Sequence, residues 1–260
     1  MPRLIITADD CGLSEAINLT VCDLHQRGYI TAASVMPNFP AHRHALDLLS
    51  RRPGLDLGAH LTLTDGRPVS REGPHHSHLL KDDRDFRNKF SLYIRSHFFS
   101  KDTVNWLREE LDAQMRRFTD VGIRPQHIST HHHFHSIKPL RRIVHDLALA
   151  YRVDWVRGHD FRANVSPHNP FHRAQRWHRQ DRFFMPDHIT AIQSWMSQPV
   201  EEFCRRVARL DGLVEIVVHP APARDPGFPV AMEYGPAPRY AETQFLIQAI
   251  DRLRELGVTA

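Results

Sequence analysis

The stretch LIITADDCGL, residues 4–13, contains the pattern on which the fold assignment rests. Five apolar or β-branched residues lead into two adjacent carboxylates, Asp9 and Asp10, and a glycine follows two positions later. A turn explains such a pattern, because Asp and Gly are common turn residues. Two neighbouring carboxylates at the end of a buried strand nevertheless repel each other and lose hydration. A cation site with a proton-transfer group beside it is the alternative that accounts for both acids.

Outward from this stretch, short apolar strands alternate with helices. We predict strands at Leu4–Ala8, Ile30–Pro37, Leu55–Leu63, from His127 onward, at Val153–Arg157, at Gly212–Pro220 and at Val258–Ala260. Ser14 and Asp102 are predicted to cap two of the intervening helices, which Gly28 and Gly122 end. Strands separated by helices form a mostly parallel sheet. For 260 residues the pattern favours a single α/β domain, an irregular seven-stranded (β/α) barrel of the TIM type, over an open doubly wound sheet.

Two irregular segments interrupt this alternation. Residues 64–100 are polar and rich in His, and residues 158–190 are rich in Arg, His and Pro. Seven arginines lie within residues 152–182, with aromatic residues among them. A solvated loop explains this composition. Alternatively, the segment covers the barrel mouth, where arginines bind an anionic group and aromatics rest on a sugar or a lipid; Arg157, at the end of its strand, is then the candidate for substrate contact.

Composition restricts the classes of protein. The net charge is +4 and the isoelectric point about 9.2, which permits anionic partners. We expect no nucleic-acid partner, because neither an RNP-like nor a helix-turn-helix pattern is found. No stretch approaches the roughly 20 apolar residues of a membrane span, and the first residues lack a signal-peptide layout. The three cysteines are widely spaced, without a CxxC pair. A reduced, cytoplasmic protein is the simplest interpretation.

Polar residues stand at or near the carboxyl ends of four predicted strands. They are Asp9 with Asp10, His60, the cluster 131–135 and His219. In parallel α/β folds these ends meet at one mouth, where the chemistry takes place. Each residue alone has an ordinary explanation, such as a hydrogen-bonded core histidine for His60. Their coincidence in four separate units predicts a shared site.

The histidine cluster HHHFH, residues 131–135, follows directly on a predicted strand. If the strand that begins at His127 continues, its alternation places His131, His133 and His135 on one face and His132 on the other. Three imidazoles then approach one pocket. A surface tract is the alternative explanation for the run.

One carboxylate and two imidazoles form a metal-ligand set that leaves coordination positions open. Zn²⁺, Fe²⁺, Co²⁺ and Mn²⁺ suit these ligands, and Mg²⁺, which prefers oxygen, suits them less. One acid can bind the ion while its neighbour faces water, and the ion offsets their repulsion. From the residues alone, three alternative functions stay open. The protein could be a phosphoesterase or another metal-dependent hydrolase, an iron oxygenase, or a non-enzymatic basic binding protein. The wide spacing of the ligands on an α/β pattern is not typical of an oxygenase triad.

Four motifs, TADDCGLSEAIN, GAHLTLTDGRP, HISTHHHFH and VVHPA, occur in this order over residues 4–256. In these motifs the sequence resembles the YdjC/ChbG family of carbohydrate deacetylases. The motifs TAASVM and HFH resemble those of the hopanoid-associated, HpnK-like branch of this family. Cys11 stands where the family usually has Phe, and Val218 where Cys is frequent; neither change removes a group that the expected chemistry needs.

The resemblance implies an irregular TIM-like barrel and a hydrolase that needs one divalent metal ion. The expected reaction removes the acetyl group from an N-acetylated amino sugar, an oligosaccharide or a sugar conjugate, and releases acetate. Carried over residue by residue, the resemblance makes Asp10, His60 and His131 the metal ligands. Asp9 becomes the general base and His219 the general acid.

The identity of the metal ion and the oligomeric state stay open. The ion could be Zn, Mg, Mn, Co or Fe, and the resemblance is compatible with a homodimer. The composition of residues 152–182 leads us to expect an anionic or lipid-linked sugar. Arg157, His133 and His135 are the residues that we predict to bind it.

Overall fold

The computed structural model of this chain describes residues 1–70, 79–81, 84–158, 184–229, 232 and 234–260. The strands are β1 (Arg3–Cys11), β2 (Ala32–Val35), β3 (Asp56–Leu61), β4 (Leu80–Lys81), β5 (Asp85–Phe86), β6 (His127–Thr130), β7 (Trp155–Val156), β8 (His188–Ala191) and β9 (Leu213–Val218). The helices are α1 (Glu15–Gln26), α2 (His42–Leu49), α3 (Lys89–Arg95), α4 (Lys101–Thr119), α5 (Lys138–Ala150), α6 (Val200–Ala208) and α7 (Pro236–Glu255). None of these helices is long and apolar enough to cross a lipid bilayer.

Seven parallel strands form one sheet in the order β7-β6-β3-β2-β1-β9-β8. β1, the first strand of the chain, lies at the sheet's interior and pairs with β9 over six residues, from Arg3 opposite Leu213 to Ala8 opposite Val218. Phe184 makes a parallel bridge to Trp155 of β7 shortly before β8 begins beside β9. The segment that leads into β8 therefore connects the two edges of the sheet. The prediction of an irregular, seven-stranded TIM-like barrel is confirmed.

The seventh strand is not the one that we predicted. Val258–Ala260 forms no strand, although Val258 is buried. The seventh strand is instead β8, which lies at the end of the predicted irregular segment 158–190. Its four residues, HITA, are too short and too mixed in character to stand out from the Arg- and His-rich sequence before them. Residues 159–183, the greater part of that segment, lie outside the described residues.

Two helix starts illustrate how local sequence sets the elements. The Ser14 hydroxyl accepts a hydrogen bond from the Ile17 amide at 3.1 Å and caps α1, as predicted. At α4 the cap is Ser100, which accepts from the Thr103 amide at 3.1 Å, and not the predicted Asp102. Asp102 lies in the first turn, where its charge complements the helix dipole. Serine and aspartate both cap helices well, so sequence alone did not separate these two positions.

Within the irregular segment 64–100, β4 and β5 form an antiparallel hairpin and α3 follows it. Leu79, Leu80 and Phe86 are buried. This hairpin therefore packs onto the barrel and forms a wall beside the carboxyl ends of the strands.

Candidate active site

A bulge at the end of β1 brings the two adjacent acids to one place. Ala8 pairs with Ala33 and Cys11 with Val35, so β1 has one residue more than β2 between these pairs. Asp10 takes a left-handed backbone conformation with φ of 63°. Adjacent side chains of a regular strand point to opposite faces, whereas this bulge lets both carboxylates approach His60. Asp9 Oδ1 lies 3.7 Å from Nδ1 of His60, and Asp10 Oδ1 lies 3.2 Å from its Nε2.

Three atoms form a compact triangle at the centre of the site. Asp10 Oδ1 lies 3.2 Å from His60 Nε2 and 3.1 Å from His131 Nδ1, and the two nitrogens are 3.3 Å apart. Ligand atoms bound at 2.0–2.1 Å to one ion are about 2.8–3.0 Å apart at the right angles of octahedral geometry and about 3.3–3.4 Å apart in tetrahedral geometry. Asp10 Oδ1 is also buried without a hydrogen bond of normal geometry. These residues therefore fit a divalent ion.

The second polar atom of each of these three side chains also has a neighbour. Arg239 donates to Asp10 Oδ2 at 2.6 Å, and His60 Nδ1 lies 2.7 Å from the Ser129 hydroxyl. His131 Nε2 lies 3.3 Å from Asp65 Oδ2. Such outer contacts hold metal ligands in position and orient their rings.

The charges in the triangle balance one another. Burial favours the neutral form of Asp10, but His131 and Arg239 hold the pKa of this carboxyl well below its usual range. Burial alone would lower the pKa of His131, yet the carboxylates of Asp10 and Asp65 raise it to about 9. Burial lowers the pKa of His60 in spite of both neighbouring acids. The acids thus attract positive charge to the position between them.

The histidine cluster does not alternate as a strand, so that prediction was wrong. β6 ends at Thr130, and residues 131–136 form a tight helical segment in which His132 and His133 both have φ of 53°. The ring of His132 consequently lies beside His131, with centroids 4.0 Å apart. His135 is buried and bonds to Thr130. Substrate binding by His133 and His135 stays a prediction.

Arg157 is placed differently from our expectation of a substrate contact. It is fully buried and donates to both oxygens of Asp9 at 2.5 and 2.9 Å, and to Glu215 Oε1 at 2.7 and 3.0 Å. All three of its nitrogens are thus engaged by carboxylates. Burial alone would raise the pKa of Asp9, but Arg157, with the imidazoles of His60 and His219, lowers it far below its ordinary value. Arg157 positions Asp9 and keeps it ionised.

His219 follows β9 and is held by α7. Its backbone amide and its Nδ1 lie 3.0 and 3.2 Å from Glu242 Oε1, and Tyr234 donates to Glu242 Oε2 at 2.8 Å. Burial favours neutral His219, but Glu242 outweighs this effect and raises its pKa. Glu242 therefore fixes the ring and favours its protonated form.

Sequence reasoning missed several residues around the centre. Arg239 and Glu242 are three positions apart on α7, and both are buried. Nothing in the pattern of α7 marks them, because buried and solvated charges look alike in a helix sequence. Glu215 was visible in principle, since a carboxylate inside the apolar strand LVEIVV requires a buried partner. Asp65 lies within the quoted motif GAHLTLTDGRP, but no feature of the sequence distinguishes it from an ordinary turn residue.

A cavity of about 1150 Å³ lies beside the centre and shares Asp65 with it. The start of α1, the loop at residues 38–41 and the β4–β5 hairpin contribute to its walls. Its lining combines charged and apolar groups, among them Arg67, Lys81, Arg87, Phe39, Phe86 and Met232. A cavity of this composition can bind a polar ligand with apolar faces, such as a sugar.

Comparison with known proteins places the chain in a family. A model for YdjC-like protein matches residues 3–258. The carbohydrate deacetylase of Halalkalibacterium halodurans is 30% identical over 221 residues, which cover 84% of this chain and 85% of that protein. The carbohydrate deacetylase of Brevibacillus brevis is 36% identical over 151 residues, 58% of this chain and 57% of that protein.

The solved structures include a protein from Enterococcus faecalis V583 that is named for cellobiose-phosphate cleavage. It superposes with a TM-score of 0.78 at 26% identity and covers 99% of this chain and 96% of that one. The family resemblance of the motifs is thus confirmed over nearly the whole length. The chain belongs to the YdjC-like protein family.

Proposed function

We propose that the protein is a metal-dependent deacetylase that hydrolyses the N-acetyl group of an amino sugar and releases acetate. The observation that carries this proposal is the triangle of Asp10, His60 and His131. Beside it lie Asp9, whose pKa Arg157 lowers, and His219, whose pKa Glu242 raises. The name of the relative from Halalkalibacterium halodurans, carbohydrate deacetylase, supports the same reaction.

Each residue has a distinct part in this proposal. Asp10, His60 and His131 hold a divalent ion, which polarises a carbonyl and acidifies water when bound. Asp9 accepts the proton of the attacking water. His219 gives a proton to the sugar nitrogen as it leaves, and its Nε2 is the donor because Nδ1 is held by Glu242.

The pKa directions decide which group controls the pH dependence. Arg157 holds the pKa of Asp9 so low that this acid is ionised throughout the neutral range. His219 must be protonated to act, and Glu242 raises its pKa. We therefore expect activity to fall at alkaline pH as His219 loses its proton.

The cavity supports a substrate larger than one sugar. Its volume of about 1150 Å³ exceeds the roughly 300–1,000 Å³ of ordinary ligand pockets. The wall carries both signs of charge, with Glu15, Asp65, Asp85 and Asp225 beside Arg67, Lys81 and Arg87, and Lys81 and Arg87 are the groups that we propose to bind an anion. The relative from Enterococcus faecalis is named for cleavage of a sugar phosphate. We propose an N-acetylated oligosaccharide or conjugate that carries an anionic group, with a lipid-linked sugar as the variant to be tested beside it.

Two further expectations accompany this function. The cysteines, Cys11, Cys22 and Cys204, are buried free thiols, which supports a reducing compartment, the cytoplasm. A homodimer stays an expectation from the family resemblance.

The test starts from metal-free protein that is reloaded with Zn²⁺, Mg²⁺, Mn²⁺, Co²⁺ or Fe²⁺, one ion at a time. Each preparation receives neutral, phosphorylated and lipid-linked N-acetylated sugars, and released acetate is measured. We expect acetate only with a suitable ion, and none from the His60→Ala variant.

The same experiment separates the rival functions. Release of phosphate in place of acetate would establish a phosphoesterase on this site. Consumption of O₂ with Fe²⁺ would establish an oxygenase. Acetate release by metal-free protein at the full rate would contradict the proposed metal site.

A further inference from the structure

A chain of hydrogen bonds runs from the His60 side chain through buried strands to Asp56. His60 Nδ1 lies 2.7 Å from Ser129 Oγ, which donates to Ser34 Oγ at 3.0 Å. Ser34 Oγ lies 2.8 Å from His127 Nε2, and His127 Nδ1 lies 2.6 Å from Asp56 Oδ1. Four hydrogen bonds thus link His60, one corner of the triangle formed with Asp10 and His131, to a carboxylate at the start of β3. We call this set the Asp56 relay.

The register of the sheet builds this relay. His60 pairs with Ser129 across β3 and β6, and Ser34 pairs with Gly58 across β2 and β3. A Cβ at Gly58 would lie 2.4 Å from the ring of His127. The missing side chain at Gly58 therefore lets His127 reach from β6 across β3 to the hydroxyl on β2.

The outer end of the relay is fixed separately. Trp155 stacks on His127 with ring centroids 4.4 Å apart, and its indole donates to Asp56 Oδ2 at 2.8 Å. The side chain of Asp56 is 29% exposed, whereas that of His127 is fully buried. The relay therefore begins at the buried side chain of His60 and ends at the carboxylate of Asp56, which is in contact with solvent.

The donors of the relay all point the same way. When a metal ion binds Nε2 of His60, the proton of this ring is on Nδ1 and can be donated to Ser129. Ser129 donates to Ser34. With the proton of His127 on Nδ1, Ser34 donates to Nε2 of His127 and Nδ1–H donates to Asp56. Each donor after His60 also accepts a hydrogen bond from the preceding group. Hydrogen bonds linked in this way polarise and strengthen one another in a buried environment.

We propose that Asp56 acts through this relay as a remote positioning carboxylate for His60. The relay fixes the tautomer that leaves Nε2 free for a metal ion, holds the plane of the ring and increases its electron donation. Ordinarily a carboxylate contacts a metal-bound histidine directly; here two hydroxyls and a second imidazole separate them. The inference rests on the proposed function, because it takes His60 to be a metal ligand.

The test measures zinc affinity by competition with a chelator and requires no substrate. Ser34→Ala interrupts the relay in its middle, and we expect a 10- to 100-fold weaker affinity, the usual effect of losing an outer partner of a ligand. Asp56→Asn removes only the charge at a partly exposed position and should weaken binding in the same direction. The double variant should bind no more weakly than Ser34→Ala, because the relay is already interrupted.

Thr190→Val is the matched control. Thr190 is a buried hydroxyl on β8 that accepts from the Trp195 indole at 3.0 Å, away from the relay. It should lose a comparable amount of stability and keep the zinc affinity of the unmodified protein within about twofold. In zinc-loaded protein, nitrogen-15 NMR should find a proton on Nδ1 of both His60 and His127.

Three results would overturn the relay. They are an unchanged affinity in Ser34→Ala and Asp56→Asn, additive losses in the double variant, or an unprotonated Nδ1 of His60. Failure of the proposed function is recognised separately, because full zinc binding by His60→Ala would refute the ligand set itself. The NMR result applies to the unmodified protein, so it decides the matter even if Ser34→Ala does not fold.

Discussion

Replacing Arg157 with Met removes the positive charge that Asp9 and Glu215 share. The side chains of these acids are only 3% and 0% exposed, and Arg157 gives them four N–H···O hydrogen bonds of 2.5 to 3.0 Å. Removing one partner of a buried ion pair costs about 3–5 kcal/mol, because the remaining charge is left without compensation. We expect the free energy of unfolding at pH 7 to fall by this amount.

Urea unfolding followed by circular dichroism measures the loss. With a slope of about 3 kcal/mol/M, the midpoint should fall by about 1–1.7 M. Arg124→Met is the control, because Arg124 pairs with Asp154 at the surface, where both side chains are about half exposed. An exposed pair of this kind contributes about 1 kcal/mol or less.

The loss of stability in Arg157→Met should depend on pH in a direction that follows from the pKa of Asp9. In the unmodified protein the pKa of Asp9 lies below its ordinary value, so its ionised form stabilises the fold above that value and the contribution disappears as pH falls through the folded pKa. Without Arg157, burial raises the pKa of Asp9 instead. The difference between variant and unmodified protein should therefore be largest at neutral pH and shrink towards pH 4. A loss of unfolding free energy below 1 kcal/mol, or a loss that grows on acidification, would refute this reasoning. A higher KM at unchanged stability would instead support the substrate contact first predicted for Arg157.

Four further outcomes can be measured. His131→Ala should lower the bound zinc well below one ion per chain by elemental analysis, and full occupancy would contradict the ligand set. Asp9→Asn should keep the ion and lower kcat by on the order of 10²–10⁴-fold; loss of the ion would mean that the two adjacent acids have exchanged roles. Glu242→Gln removes the charge that raises the pKa of His219, so the alkaline limb of kcat/KM should move to lower pH, and an unmoved limb would exclude His219 as the titrating acid. Arg87→Glu should raise KM for a phosphorylated substrate and leave KM for its neutral counterpart unchanged, and equal effects on both would remove Arg87 from substrate recognition.

The meeting of Asp10, His60 and His131 was predictable from one rule, that the carboxyl ends of parallel strands converge. The bulge that turns Asp10 towards its neighbours was not, because no residue pattern distinguishes it from a regular strand end. The alternation rule also failed after Thr130, where the backbone turns into left-handed conformations at His132 and His133. Sequence periodicity describes regular elements, and at these positions the geometry is irregular.

The burial of Arg157, which we did not predict, has a related cause. An arginine at a strand end was expected to face the mouth, since charged side chains are normally solvated. Its burial follows from partners on two other strands, Asp9 on β1 and Glu215 on β9. The three residues are far apart in the sequence, so only the fold brings them together. The same holds for Arg239 and Glu242, whose partners precede them by 229 and 23 positions.

The position of β1 inside the sheet has a consequence for synthesis on the ribosome. This strand leaves the ribosome about 200 residues before β9, one of its two neighbours. At about 5–20 residues per second, the interval is on the order of 10–40 s. Throughout that time the apolar strand with its two acids has an unpaired edge, which other nascent chains can join. The growing chain is therefore most vulnerable to aggregation before β9 is made, and a chaperone that binds β1 would protect the segment that later forms the centre of the site.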